Sequence, residues 1–211
     1  MDDWYIGAGL YDGSGQRGIS TGSQLPNNLL LSSGPLFLIS EAGLKWETPA
    51  RGLPGRWAIG GWYHNGTFAL FRGGTRTGTS GLYSVLEQQL FREHPNEEND
   101  EQGIGWYAQY GYADPEVSFV MHHLGTGIVW RGAIPSRDRD SMGIATSWVR
   151  FSKQPGAGFD FTSETVFEVF YKLSLTKWAN VTFDLQHIAH PGGALEQRNA
   201  TIGTIRFAIQ F

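Results

Sequence analysis

Near its C-terminal end the chain changes character at every residue. Ile205, Phe207, Ile209 and Phe211 alternate with Thr204, Arg206, Ala208 and Gln210. Successive side chains on a strand point to opposite faces, so this segment reads as a strand with one greasy side and one largely polar side. The same alternation recurs upstream. Val181, Phe183 and Leu185 interleave with Thr182, Asp184 and Gln186, while Thr165, Phe167, Val169, Tyr171, Leu173 and Leu175 interleave with Glu164, Val166, Glu168, Phe170, Lys172 and Ser174. The short Thr176-Lys177 link joins these two runs as a hairpin. Further strands are predicted near 140–151, 117–133, 103–113, 80–92, 55–70, 35–47 and 3–11, about ten in all.

Strand length then narrows the class. Several candidates reach the roughly 9–11 residues that a tilted strand needs to cross a bilayer, beyond the mean of about 5–6 in globular proteins. The eight tryptophans, Trp4, Trp46, Trp57, Trp62, Trp106, Trp130, Trp148 and Trp178, fall mostly near predicted strand ends, where an indole can sit among lipid headgroups. With the C-terminus on the periplasmic side, connections near 12–34, 71–79, 114–116, 152–163 and 190–198 lie outside, and those near 48–54, 93–102, 134–139 and 176–177 lie inside. The outside set is longer on average, as outer-membrane barrels require. The acidic run from His94 to Gln102 is the exception.

Composition changes the picture mainly by exclusion. The 211 residues contain no cysteine, so there is no disulfide framework or thiolate metal site. Mean hydropathy is -0.28, and no apolar run approaches the roughly 20 residues of a spanning helix. Alternating strands escape that test, because averaging cancels their two faces. A net charge of -4 provides no polybasic footprint for nucleic acid. Met1-Asp2-Asp3-Trp4 lacks the charged and apolar regions of a secretory signal, so either the protein is not exported or the N-terminus is missing from this sequence.

Four segments, in order, resemble the carbohydrate-selective porin family of bacterial outer membranes, the OprB type. They are Leu38-Ile39-Ser40-Glu41-Ala42-Gly43-Leu44 with Gly55 to His64; Gly103 to Gly111 with Ala113-Asp114-Pro115; Gly127 to Gly132 with Arg137 to Gly143; and Glu164 to Tyr171 with Asp184-Leu185-Gln186-His187-Ile188, His190-Pro191-Gly192-Gly193 and terminal Phe211. The family pattern departs at His187, where a tyrosine is usual, and at His190, where an asparagine is expected. The resemblance covers the C-terminal half of the pattern. It implies an all-β, antiparallel transmembrane β-barrel of about 16 strands, to which residues 1–211 contribute a single β-barrel domain. It also implies passive, carbohydrate-selective diffusion of sugars, localisation in the bacterial outer membrane, contact with outer-membrane lipid and the assembly machinery, and a homotrimer or a monomer. Phe207, Ile209 and Phe211 stand where the family's terminal assembly signal lies.

A wet lumen selects solutes through the side chains that line it; hydroxyl-rich sugars call for donors, acceptors and flat aromatic platforms. Alternation nominates Glu41, His64, Gln109, Glu168, Asp184, Gln186 and Arg206 for the lumen, with Glu168, Asp184, Gln186 and Arg206 forming a ladder of pairable charges across neighbouring strands. His122 and Arg131 join them subject to a bulge near Gly125 and Gly127. Arg137-Asp138-Arg139-Asp140 reads as a salt-bridged turn or as part of a pore mouth or trimer contact.

Enzyme signatures are missing. His122-His123, His187 and His190 lack zinc spacing, no calcium loop is spelled out, and Gly73-Gly74-Thr75-Arg76-Thr77-Gly78 lacks the lysine of a phosphate loop and reads as a flexible loop. No catalysis, metal or cofactor is therefore expected. Two other classes remain open on sequence: a soluble or surface-attached carbohydrate-binding β-sandwich, and a non-sugar outer-membrane barrel.

Overall fold

The structure is a computed structural model and describes residues 3–13, 35–49, 52–94, 97 and 101–210. Its strands are β1 (Asp3–Asp12), β2 (Leu36–Glu47), β3 (Pro54–Ala69), β4 (Thr75–Arg92), β5 (Gly103–Ala113), β6 (Val120–Arg131), β7 (Ser141–Phe151), β8 (Ser163–Ser174), β9 (Ala179–Ala189) and β10 (Ala200–Ile209). They form one ten-stranded sheet in strict chain order. Every neighbour pair is antiparallel. Each strand is at least 10 residues long, long enough to cross a bilayer.

Register carries the two faces from strand to strand, because cross-strand partners share a side. Leu44 faces Trp57, which faces Leu86 and then Ala108. At the other edge, Ile144 faces Val169, which faces Leu185. This side carries most of the large exposed apolar residues, among them Trp4, Ile6, Leu38, Trp57, Leu82, Ile144, Phe167, Leu185, Ile205 and Phe207. The opposite side carries most of the charged residues, among them Glu41, Lys45, Arg56, Glu87, Glu168, Asp184 and Arg206.

Such a sheet has almost no interior. Among the described residues the buried apolar ones are Leu53, Ala58, Phe151, Ala157 and Ala179, and no large side chain is fully buried. The chain exposes 14208 Å², whereas a soluble protein of 23.4 kDa would expose about 9,700 Å². A β-sandwich must seal its apolar faces against each other; here that face is bare, which excludes the sandwich.

Six tryptophans, Trp4, Trp46, Trp57, Trp106, Trp130 and Trp148, lie on the apolar face, and the first five sit at the end shared by the start of β1 and the end of β10. Three of them have their N–H groups satisfied within the sheet: Trp46 donates to Gln88 (2.8 Å), Trp57 to Ser84 (2.9 Å) and Trp106 to Thr126 (2.9 Å). A donor paired this way can face hydrocarbon without the cost of a lost hydrogen bond. Trp62 departs from the girdle expectation. It faces Ile39 and Gly81 on the polar side and packs on Phe37 at 5.9 Å.

At the opposite end the connections fold on one another. Phe71 packs on Phe119 (4.9 Å), Phe119 on Phe159 (5.9 Å), and Phe159 stacks on Phe151 (4.1 Å). The 3-10 turn Pro191–Gly193 closes beneath, its Gly193 carbonyl accepting from the Asp160 and Phe161 amides. Arg76 pairs with Asp114 and Glu116, and Arg72 with Glu116. The loop expected over 71–79 is shorter, because β4 begins at Thr75; Gly78, at φ 86, lies inside that strand near a register shift. A residue without Cβ enters this region without strain, so the glycine run belongs partly to a strand.

Candidate functional site

The polar face is built from alternate residues of all ten strands. Its densest region spans β1 to β4. The Tyr5 hydroxyl donates to Glu41 at 2.7 Å and accepts from Arg56 Nε at 3.0 Å. Arg56 also reaches Glu41 at 3.2 Å and Glu87 at 3.4 Å, and Lys45 stands 5.7 Å from the Tyr5 ring centre. Side-chain exposures of 33% for Arg56 and 53% for Glu87 put these pairs in the class that contributes about 0.2–1 kcal/mol each. Their consequence is therefore the local field more than the stability. A recess of about 620 Å³ opens beside them, lined in part by Lys45, Glu47, Arg56, Glu87 and Tyr107.

A second region spans β8 to β10. Glu168 faces Gln186, whose Nε2 donates to Glu168 Oε2 at 3.1 Å. Asp184 faces Thr204, and Arg206 faces Thr182 on the same side. Between the two regions lie Gln109 over Gly125, and His123, whose Nε2 is 3.0 Å from Ser147 Oγ.

The sequence candidates divide clearly. Glu41, Gln109, Arg131, Glu168, Asp184, Gln186 and Arg206 all lie on the polar face by register. Arg131 sits at its edge, paired with Glu101. The structure brings Glu168 and Gln186 into contact on that ladder, and a cluster of ion pairs gathers around Arg56. His64 also lies on this face but is fully engaged. Its Nδ1 accepts from the Gly66 amide (2.9 Å), so Nε2 carries the proton it offers to the Gly13 carbonyl (2.9 Å). His64 therefore braces the irregularity between His64 and Thr67 in β3.

His122 is a correction. It pairs with Tyr112 and Arg150 on the side of Leu124 and Trp148, the apolar face. The register shift between Val120 and His122 comes before it, and from His122 to Arg131 the alternation runs unbroken, so the polar-face position falls to His123. Phe207 and Ile209 stand on the apolar face at the end of β10; Phe211 lies outside the described residues. Tyr5, Arg56, Tyr83 and Glu87 were not singled out from sequence. A count of alternate positions from Trp57 and Leu86 would have placed Arg56 and Glu87 on the polar side.

A sheet with lipid-ready residues on one face, hydrogen-bonding and charged residues on the other, and indoles banded near one rim is a segment of transmembrane β-barrel wall around a polar interior. A model of the carbohydrate-selective porin, OprB family, matches residues 1–211, and the chain belongs to that family. Among curated proteins it is similar to Porin B of Pseudomonas aeruginosa, 23% identical over 255 residues that cover 99% of this chain and 52% of that protein. Among solved structures, the high-pH structure of Pseudomonas putida OprB matches with a TM-score of 0.79 at 21% identity, covering 99% of this chain and 56% of that one. The low-pH structure of the same protein matches at 0.55 and 16% identity, covering 97% and 62%. The chain thus spans about half the length of the curated relative it matches. Family membership places it in the bacterial outer membrane.

Proposed function

We propose that the protein carrying this chain is a water-filled channel for passive diffusion of sugars, with these ten strands as part of a larger barrel wall. The observation that carries this reading is the separation of faces: a bare apolar side for lipid and a polar side dense in groups that exchange hydrogen bonds with hydroxyls. The unclosed order of the sheet, from edge β1 to edge β10, supports completion by further strands, since hydrocarbon cannot satisfy an open ladder. No bond chemistry is involved. Passage requires contacts weak and numerous enough to be exchanged along the path, which the half-buried Arg56 and Glu168 regions supply.

Reconstitution in liposomes tests this. Swelling should be fast with monosaccharides and fall with sugar size, and a preparation with no sugar-dependent swelling would refute the channel. Arg56→Gln should leave Glu41 and Glu87 without their shared cation and shift ion preference toward cations. The reversal potential in a salt gradient reads that shift.

A further inference from the structure

The apolar face is interrupted by a cation near its loop-bearing end. β7 finishes Trp148-Val149-Arg150-Phe151, and the unshifted pairs Trp148↔Thr165 and Arg150↔Ser163 keep Arg150 on the side of Trp148. Below it on that face lie Leu124, Ile144 and Phe167, each substantially exposed. His122 faces Arg150 across the ladder, and its Nδ1 is 2.7 Å from the Tyr110 hydroxyl. Arg150 Nε is shielded from solvent without an acceptor. Among the described residues, the outward positions of β5 to β10 include no carboxylate. A second copy applying these strands would bring no counter-charge. A long cationic side chain beside an apolar surface extends its head to the polar boundary, and the guanidinium fork suits a phosphate.

We propose that Arg150, with His122 and Tyr110, binds the phosphate headgroup of an anionic lipid of the outer leaflet, whose acyl chains lie on Leu124, Ile144 and Phe167. This rests on the outer-membrane reading above. The complete protein, purified in detergent, is incubated with a phosphorylated glycolipid or with the same glycolipid stripped of phosphate, and bound lipid is counted by native mass spectrometry. The wild type should prefer the phosphorylated form. Arg150→Gln should weaken that binding about tenfold, the size expected for a lost charge-assisted contact, and Arg150→Lys should restore part of it. Inorganic phosphate at millimolar concentration should not displace the lipid.

Equal retention by wild type and Arg150→Gln overturns the site, as does indifference to the phosphate. So does a smaller oligomer in Arg150→Gln with unchanged lipid, which would make this rim a subunit contact. Sugar-driven swelling, read on the same preparations, separates the two levels: swelling preserved with no lipid preference removes the headgroup site alone, whereas a wild type that fails to insert into bilayers removes site and channel together.

Discussion

Asp140 gathers three donors while only 4% exposed: the Tyr171 hydroxyl, the Ser174 amide at 2.8 Å and Arg137 Nε at 2.7 Å. Burial pushes its carboxyl toward the neutral form, but the Tyr171 hydroxyl, the Ser174 amide and the Arg137 charge outweigh burial and hold it below the usual aspartate range. The Arg137-Asp138-Arg139-Asp140 run is thus a turn pinned to the end of β8. Because the native value is depressed, this stabilisation is complete above about pH 4, the unfolded value, and disappears as pH falls through the native one. Asp140→Asn should cost about 2–3 kcal/mol at neutral pH and flatten the acid limb of thermal unfolding. An unchanged acid limb would show the turn is held by other contacts. His190 is a smaller case. It sits at φ 55, stacks on Phe161 at 4.2 Å and donates its amide to Asn199, so a histidine in the expected asparagine position adopts the left-handed backbone and adds a ring contact.

At the scale of strands, the polar face repeatedly sets an aromatic ring against a glycine of the next strand. Built-on Cβ atoms would fall 2.2 Å from the Tyr83 ring at Gly60, 2.3 Å from Tyr5 at Gly43, and 2.5 Å from Trp62 at Gly81. The rings therefore lie flat along the wall instead of standing into the interior. Gly60→Val suits a strand but would lift Tyr83 off the backbone and narrow the path. Single-channel conductance should drop while heat-modifiable migration persists; conductance equal to wild type would mean that Tyr83 is not on the path. The same element scale explains the His122 correction. Gly125 and Gly127 suggest a bulge between His122 and Arg131, but the irregularity lies between Val120 and His122, so alternation runs unbroken from His122 to Arg131 and sets those two residues on opposite faces.

For the whole molecule, the governing fact is a surface of 14208 Å² with five buried apolar side chains among the described residues. In water such a chain would aggregate; in a bilayer the same exposure is the stabilising contact. We propose that insertion depends on the outward row that ends β10, where Phe207 is 59% exposed. Phe207→Ser should lower the fraction of protein recovered as heat-modifiable barrel in outer-membrane fractions, leaving sugar flux per inserted channel unchanged. Normal recovery would detach this residue from assembly.

The antiparallel order was implied by short links and by the family resemblance, while alternation determined the strands and the two-faced character of the wall, because a period of two residues is a local property that survives any tertiary arrangement. It also placed Glu41, Gln109, Arg131, Glu168, Asp184, Gln186 and Arg206 on one side. Which of these meet was decided by register between strands: Arg56 finds Glu41 and Glu87, Arg206 faces Thr182, and His64 turns to its own loop. Those contacts depend on sliding one strand against another by single residues, and the packing of turns and bulges fixes that slide.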